Sequence, residues 1–221
     1  MKAVVIGLGQ FGRAAAISLA KSGAHVVAVD REMSIVESLR DKVALAVAAD
    51  ASNKQSLEAL DIADADLLVA AIGANFEAQL LAVVYARQLG VKHIVARAGA
   101  ETHAEILAEV GAHIVLNPEE DSAKHMVRAM MMPGAQSSFA LAEGFSVVKM
   151  EVPSQIVGQT LLGLDLRRRF RLNVVALETK GPEGEAQFNP VPDPEQALAT
   201  GDILTLVGSD LDIARFGDGG S

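Results

Sequence analysis

The sequence predicts an α/β protein, a Rossmann-type doubly wound parallel sheet followed by a small α+β C-terminal domain. Three observations lead there. Short apolar runs alternate with amphipathic stretches as far as Leu116, three glycines separate the first run from the first helix, and a β-richer pattern takes over from Gln136. Runs that are apolar on both faces and separated by single helices imply a parallel sheet covered on both sides by right-handed crossovers.

The strand readings are 3–6, 25–29, 44–49, 67–72, 93–96 and 113–116, and the helical stretches between them are 12–22, 32–41, 53–61, 76–89 and 102–110. Gly23, Gly90 and Gly111 stand where helices end, and Ser52 or Asn53 caps the helix that follows. Residues 119–132 read as one more helix. It begins with Glu119, Glu120 and Asp121, where negative charge suits the helix dipole, and it stops before Pro133-Gly134. Its apolar face, Met126 and Met130 with Ala123 and Ala129, reads first as buried core, with packing across a subunit boundary as the alternative. No strand is evident directly after it. Further on, 145–152, 173–179 and 203–207 read as strands and 158–170 as helical, while 181–195 reads as a loop and the residues after Phe216 as a disordered tail. The domain division is placed at 1–134 and 135–221, and the second part is small for a substrate-binding domain.

Composition excludes several function classes. A net charge of -9, with one Tyr and no Trp, provides neither a basic face nor a stacking platform, so nucleic acid is not an expected partner. With no cysteine there is no disulfide, thiolate metal site or cysteine nucleophile. The longest apolar window, 67–86, is interrupted by Asn75, Glu77 and Gln79, so neither a membrane span nor a signal peptide is read. A soluble, cytoplasmic protein is expected.

The glycines are Gly7, Gly9 and Gly12, with Leu8, Gln10 and Phe11 between them. A G-x-G-x-x-G motif has meaning when it follows a strand and opens a helix, and when an acidic residue ends the next strand, as Asp30 does here. Gly7 then allows the tight turn, Gly9 the approach of phosphate, and Gly12 close helix packing, while the helix N-terminus offers free N–H groups. Asp30 can accept both hydroxyls of an adenosine ribose and would repel a 2′-phosphate, although adjacent Arg31 leaves NADP open. Asp50 either hydrogen-bonds an adenine or caps the turn before Ser52. The stretch Ala71-Ile72-Gly73-Ala74-Asn75 reaches the same sheet edge, where its small residues permit close approach of a ligand or close packing.

Taken together, "VIGLGQFG", "VVAVD", "AADAS", "AIGANFEAQLL", "IVARA", "EILAEVGAHIVLNPEEDSAKHM" and "LNVVALE…FNPVPDPEQALATGDILTLVG" resemble the cytosolic RCK subunits of bacterial Ktr/Trk potassium-uptake systems, over nearly the entire chain. The resemblance implies an RCK N-terminal domain and an RCK C-terminal domain. It also implies dimers assembled into an octameric ring on the inner face of the membrane, gating a potassium-translocating subunit. ATP would favour the active state and ADP the inactive one, with NAD(H) a ligand in some relatives. It places phosphates at the glycine turn, ribose at Asp30, adenine at Asp50 and Ala51, and pocket walls at Ala74 and Asn75. Arg97 falls near the terminal phosphate. Gln10 stands where relatives commonly carry a basic residue that reaches the γ-phosphate, and it brings no charge. Glu119 has two readings, a dipole-stabilised helix start or, by resemblance, a ligand for Mg²⁺ or Na⁺. Arg167, Arg168, Arg169 and Arg171 read as a solvated face; in some relatives the C-terminal domain binds cyclic di-AMP.

An NAD-dependent oxidoreductase is the alternative. It needs a substrate-facing acid or base, and no paired candidate is found in the sequence. The protein is therefore expected to be a regulator rather than an enzyme.

Overall fold

The apolar runs of the first half become parallel strands in the computed structural model, which describes residues 1–132, 134–181 and 185–218. In chain order they are β1 (Lys2–Ile6), α1 (Gln10–Lys21), β2 (His25–Asp30), α2 (Met33–Glu37), β3 (Leu45–Ala48), α3 (Lys54–Ala59), β4 (Leu67–Ala70), α4 (Phe76–Gln88), β5 (His93–Arg97), α5 (Glu101–Val110) and β6 (Ile114–Leu116). The sheet order is β3-β2-β1-β4-β5-β6, and every pairing is parallel. Chain direction reverses its progress between β1 and β4, which creates the crevice where ligands bind in such sheets.

Alternation along the strands explains the two covered faces. Ala3 and Val5 of β1 with Val26 and Ala28 of β2 pack with Ala16 and Val36 from α1 and α2. Val4, Ile6, Val27 and Val29 pack on the other side with Leu57, Ala82, Val83 and Leu107 from α3, α4 and α5. Asn53 caps α3 through its side-chain oxygen, and Asn75 caps α4 in the same way. Two boundaries differ from expectation. The helix expected over 32–41 is confined to Met33–Glu37, and the strand expected over 67–72 stops at Ala70, because the Ile72 N–H is taken by a side chain instead of the ladder.

Next come α6 (Pro118–Met130), β7 (Ala135–Ala142), β8 (Phe145–Glu151), α7 (Leu161–Leu164), α8 (Leu166–Arg169), β9 (Asn173–Lys180), β10 (Ala186–Asn189), β11 (Ile203–Ser209) and α9 (Asp210–Gly217). Their strands form a second sheet, antiparallel, in the order β10-β9-β11-β8-β7. Val148, Met150, Leu177, Leu204 and Leu206 pack with Leu164, Leu166, Ile213 and Phe216 to form its own core. By internal contacts the chain divides into Met1–Glu120 and Asp121–Ser221, so the division falls within the first turn of α6.

Several expectations for this half are corrected. A strand does follow α6: β7 is poor in β-branched residues and is held by pairing with β8. The expected loop 181–195 contains β10, a four-residue edge strand paired with β9. The helical stretch 158–170 is two single turns broken at Asp165, whose φ of 41° is left-handed. Phe216 lies inside α9, capped by Ser209. Of the tail expected beyond it, 219–221 lies outside the described residues. Finally, α6 buries none of its residues: Met126 and Met130 are 57% and 77% exposed, so the buried-core reading of that face does not hold within one chain.

Candidate functional site

The C-terminal ends of β1 to β5 surround one pocket of about 460 Å³. The glycine turn forms its floor, and each glycine there has a separate reason. Gly7 has a φ of 86°, and a Cβ on it would lie 2.7 Å from the Ile72 nitrogen. A Cβ on Gly12 would lie 1.8 Å from the Gly7 carbonyl oxygen. Both glycines are therefore required by packing alone. Gly9 is not: a Cβ there meets nothing within 4 Å, and the space above it belongs to the pocket. Gly9 is also the N-cap of α1 and offers no side-chain cap, so the first-turn N–H groups are available to an anion.

Gln10, Phe11, Asp30, Arg31, Asp50, Ala51, Ile72, Gly73, Ala74, Asn75, Arg97 and Glu119 line the pocket together with Gly7 and Gly9. Leu8 and Gly12 do not. Leu8 is fully buried and acts through its backbone, donating its N–H to Asp30 Oδ2 at 2.7 Å. Asp30 Oδ1 accepts the Glu32 N–H at 3.0 Å. The carboxylate is thus oriented by two backbone donors while each oxygen keeps accepting capacity for a ligand. Asp50 Oδ1 accepts both the Ser52 hydroxyl, at 2.7 Å, and the Ser52 N–H, at 2.9 Å. Those bonds, helped by Arg31, hold the Asp50 carboxyl below its ordinary pKa. Asp50 thus caps the turn before α3.

At the opposite end, Arg97 hydrogen-bonds Glu119, and its guanidinium lies across Gly73, where a Cβ would stand 2.3 Å from Nη1. The Arg97 bond, aided by the backbone N–H of Glu119, holds the Glu119 carboxyl below its usual range. The residues present do not build a cation site of their own. Glu119 is engaged by Arg97, and no group of three His, Cys, Asp or Glu side chains suited to a metal gathers among the described residues. The pocket carries Asp30, Glu32 and Asp50 with Arg31 at one end, and Arg97 paired with Glu119 at the other. It suits a ligand with hydroxyl or amino donors on one side and an anion on the other.

Sequence reasoning missed Ile6, Glu32, Ile35, Ala49, Ser52 and Ala78 as pocket walls, all adjacent to a predicted residue in the chain or one helical turn beyond. It also passed over Gln79, which is 1% exposed and fully engaged behind the pocket. The signal was a single amide on the sheet-facing side of α4. Among the described residues no helix is long and apolar enough to cross a membrane.

Comparison with known proteins gives two family matches, the TrkA-N domain over residues 3–118 and the TrkA-C domain over residues 146–218. The Ktr system potassium uptake protein C of Bacillus subtilis (strain 168) is 31% identical over 212 residues, covering 96% of this chain and 94% of that protein. The Ktr system potassium uptake protein A of Vibrio alginolyticus is 31% identical over 92% of this chain and 90% of that one. Among solved structures, the Shewanella denitrificans Kef CTD in AMP-bound form superposes with a TM-score of 0.51 at 28% identity, over 59% of this chain and 80% of that one.

Proposed function

The chain belongs to the TrkA-N/TrkA-C family, and from that premise we propose that it is the adenine-nucleotide-responsive regulatory subunit of a potassium-uptake system. One observation carries the nucleotide part. A single pocket joins a backbone-oriented Asp30 beside an uncapped helix N-terminus to an arginine, Arg97, at its far end. In this reading Asp30 takes the ribose, Gly9 and the first turn of α1 the inner phosphates, and Arg97 the terminal phosphate. Asp50 and Ala51 face the base, with Asp50 Oδ1 already committed to Ser52. ATP and ADP are the proposed ligands, with NAD(H) the competing one.

A nucleotide regulates only by binding two states with different affinity. The proposed states are two arrangements of a ring of subunits, dimers assembled into an octamer, on the inner face of the cell membrane against a potassium-translocating partner. The exposed apolar face of α6 supports assembly with further copies. The division of labour runs 1–134 for the nucleotide and 135–221 for the C-terminal regulatory domain. Mg²⁺ or Na⁺ would enter with the phosphates as its other ligands, because Glu119 alone cannot hold it.

The oxidoreductase reading is not favoured. Among the described residues the titratable groups lining the pocket are carboxylates and arginines, with no histidine, lysine or tyrosine to pass a proton to substrate. Calorimetric titration with ATP, ADP, AMP, NAD⁺ and NADH, with and without Mg²⁺, tests the proposal. Distinct affinities for ATP and ADP are expected, and Asp30→Ala should weaken both by about tenfold or more. Failure to bind any adenine nucleotide, or turnover of NADH with a carbonyl substrate, would remove it.

A further inference from the structure

The parallel ladder between β4 and β5 closes at Ala70 and Ala96, one step short of the pocket. Beyond that pair the two strands part, and Gln79 of α4 fills the gap. Its Oε1 accepts the Ile72 N–H at 2.9 Å, while its Nε2 donates to the Ala70 carbonyl at 2.6 Å and to the Arg97 carbonyl at 3.0 Å. A glutamine 1% exposed is tolerated in such a place only because its amide is satisfied. One side chain thereby ties the end of β4, the loop that walls the pocket, and the residue that carries the guanidinium. On the pocket side, the same arginine lies over Gly73 of that loop.

We infer that Gln79 is a positioning residue for the anion end of the pocket: it sets the spacing between the Ile72–Asn75 wall and Arg97, and through that spacing the preference for a ligand bearing phosphate. The inference rests on the nucleotide reading above. Gln79 is not among the pocket-lining residues, so it acts through Arg97 and Ile72 rather than on the ligand. The adenosine end is held from other strands by Asp30 and Asp50, and it does not depend on this amide.

Two variants test it, with affinities for ATP and adenosine measured by calorimetry in the full chain between about pH 5.5 and pH 8. Gln79→Glu keeps the shape. Ionised, it accepts the Ile72 N–H but faces two carbonyls with no proton to give; protonated, it regains one donor, and burial raises the pH at which that happens. At the upper pH it should bind ATP about tenfold more weakly than wild type, with adenosine changed less than about twofold. The ATP deficit, taken as a ratio to wild type at each pH, should shrink as pH falls. Gln79→Met fills the same space without hydrogen bonds or a buried charge, and it should lose ATP preference equally at every pH.

A merely structural role would weaken ATP and adenosine by the same factor at each pH, in Gln79→Glu and Gln79→Met alike. That pattern overturns the inference while leaving the nucleotide reading intact. Wild-type protein that binds neither ligand overturns both.

Discussion

At the residue scale, the glycine turn separates what the fold needs from what a ligand needs. Gly12→Ala would force a Cβ to 1.8 Å from the Gly7 oxygen, and overpacking of that kind typically costs ~1–3 kcal/mol or more. Gly9→Ala meets nothing, and at an N-cap the change costs less than about 1 kcal/mol. Chemical denaturation should therefore find Gly12→Ala destabilised and Gly9→Ala nearly unchanged, while nucleotide titration finds Gly9→Ala impaired. Glu119 allows a second test. Its pKa is lowered in the folded chain, so the stabilisation from its ion pair is present above the unfolded carboxyl pKa and is lost as pH falls through the lower folded value. The urea midpoints of wild type and Glu119→Gln should differ near neutrality and converge below about pH 4. Because Glu119 competes with phosphate for Arg97, Glu119→Gln should also tighten ATP roughly threefold without Mg²⁺. With Mg²⁺ present, a cation-ligand role for Glu119 would instead make the same substitution weaken ATP.

At the scale of elements, legibility followed how local each signal was. The turn, Asp30 and the order of the first six strands were readable because spacing within about thirty residues carries them. Gln79 was not, because no motif of fixed spacing marks it: its amide bonds only backbone groups of Ala70, Ile72 and Arg97, which any residue types could supply. The Glu119 pairing was hidden for the same reason: no motif links the end of β5 to the start of α6. β7 and β10 gave no signal since edge strands derive stability from their neighbour more than from propensity. The break at Asp165 was hidden by helix-forming leucines before it and a leucine and arginines after it. The apolar side of α6 was legible as a pattern but not in its placement, since periodicity does not say which molecule covers it. Substituting Met130→Glu should lower the oligomeric mass seen by sedimentation and leave the melting temperature of the chain within a few degrees.

For the molecule as a whole, two separate cores imply two unfolding units. The clusters under the parallel sheet lie within Met1–Glu120, and that of the antiparallel sheet within Asp121–Ser221. Scanning calorimetry with ATP at about 100 times its dissociation constant should raise only the transition of the first unit, by ~2.7 kcal/mol of linkage. A single transition moving as one would mean that the two units unfold together. Helix α6 also carries a chemical liability. The chain has seven methionines and no cysteine, and Met126, Met130 and Met131 are 57%, 77% and 72% exposed along α6 and the residue after it. Oxidants convert exposed thioether sulfur to a polar sulfoxide. Oxidative damage would therefore turn the apolar face of α6 polar and spare the pocket, so an aged or stressed preparation should lose assembly before it loses ligand.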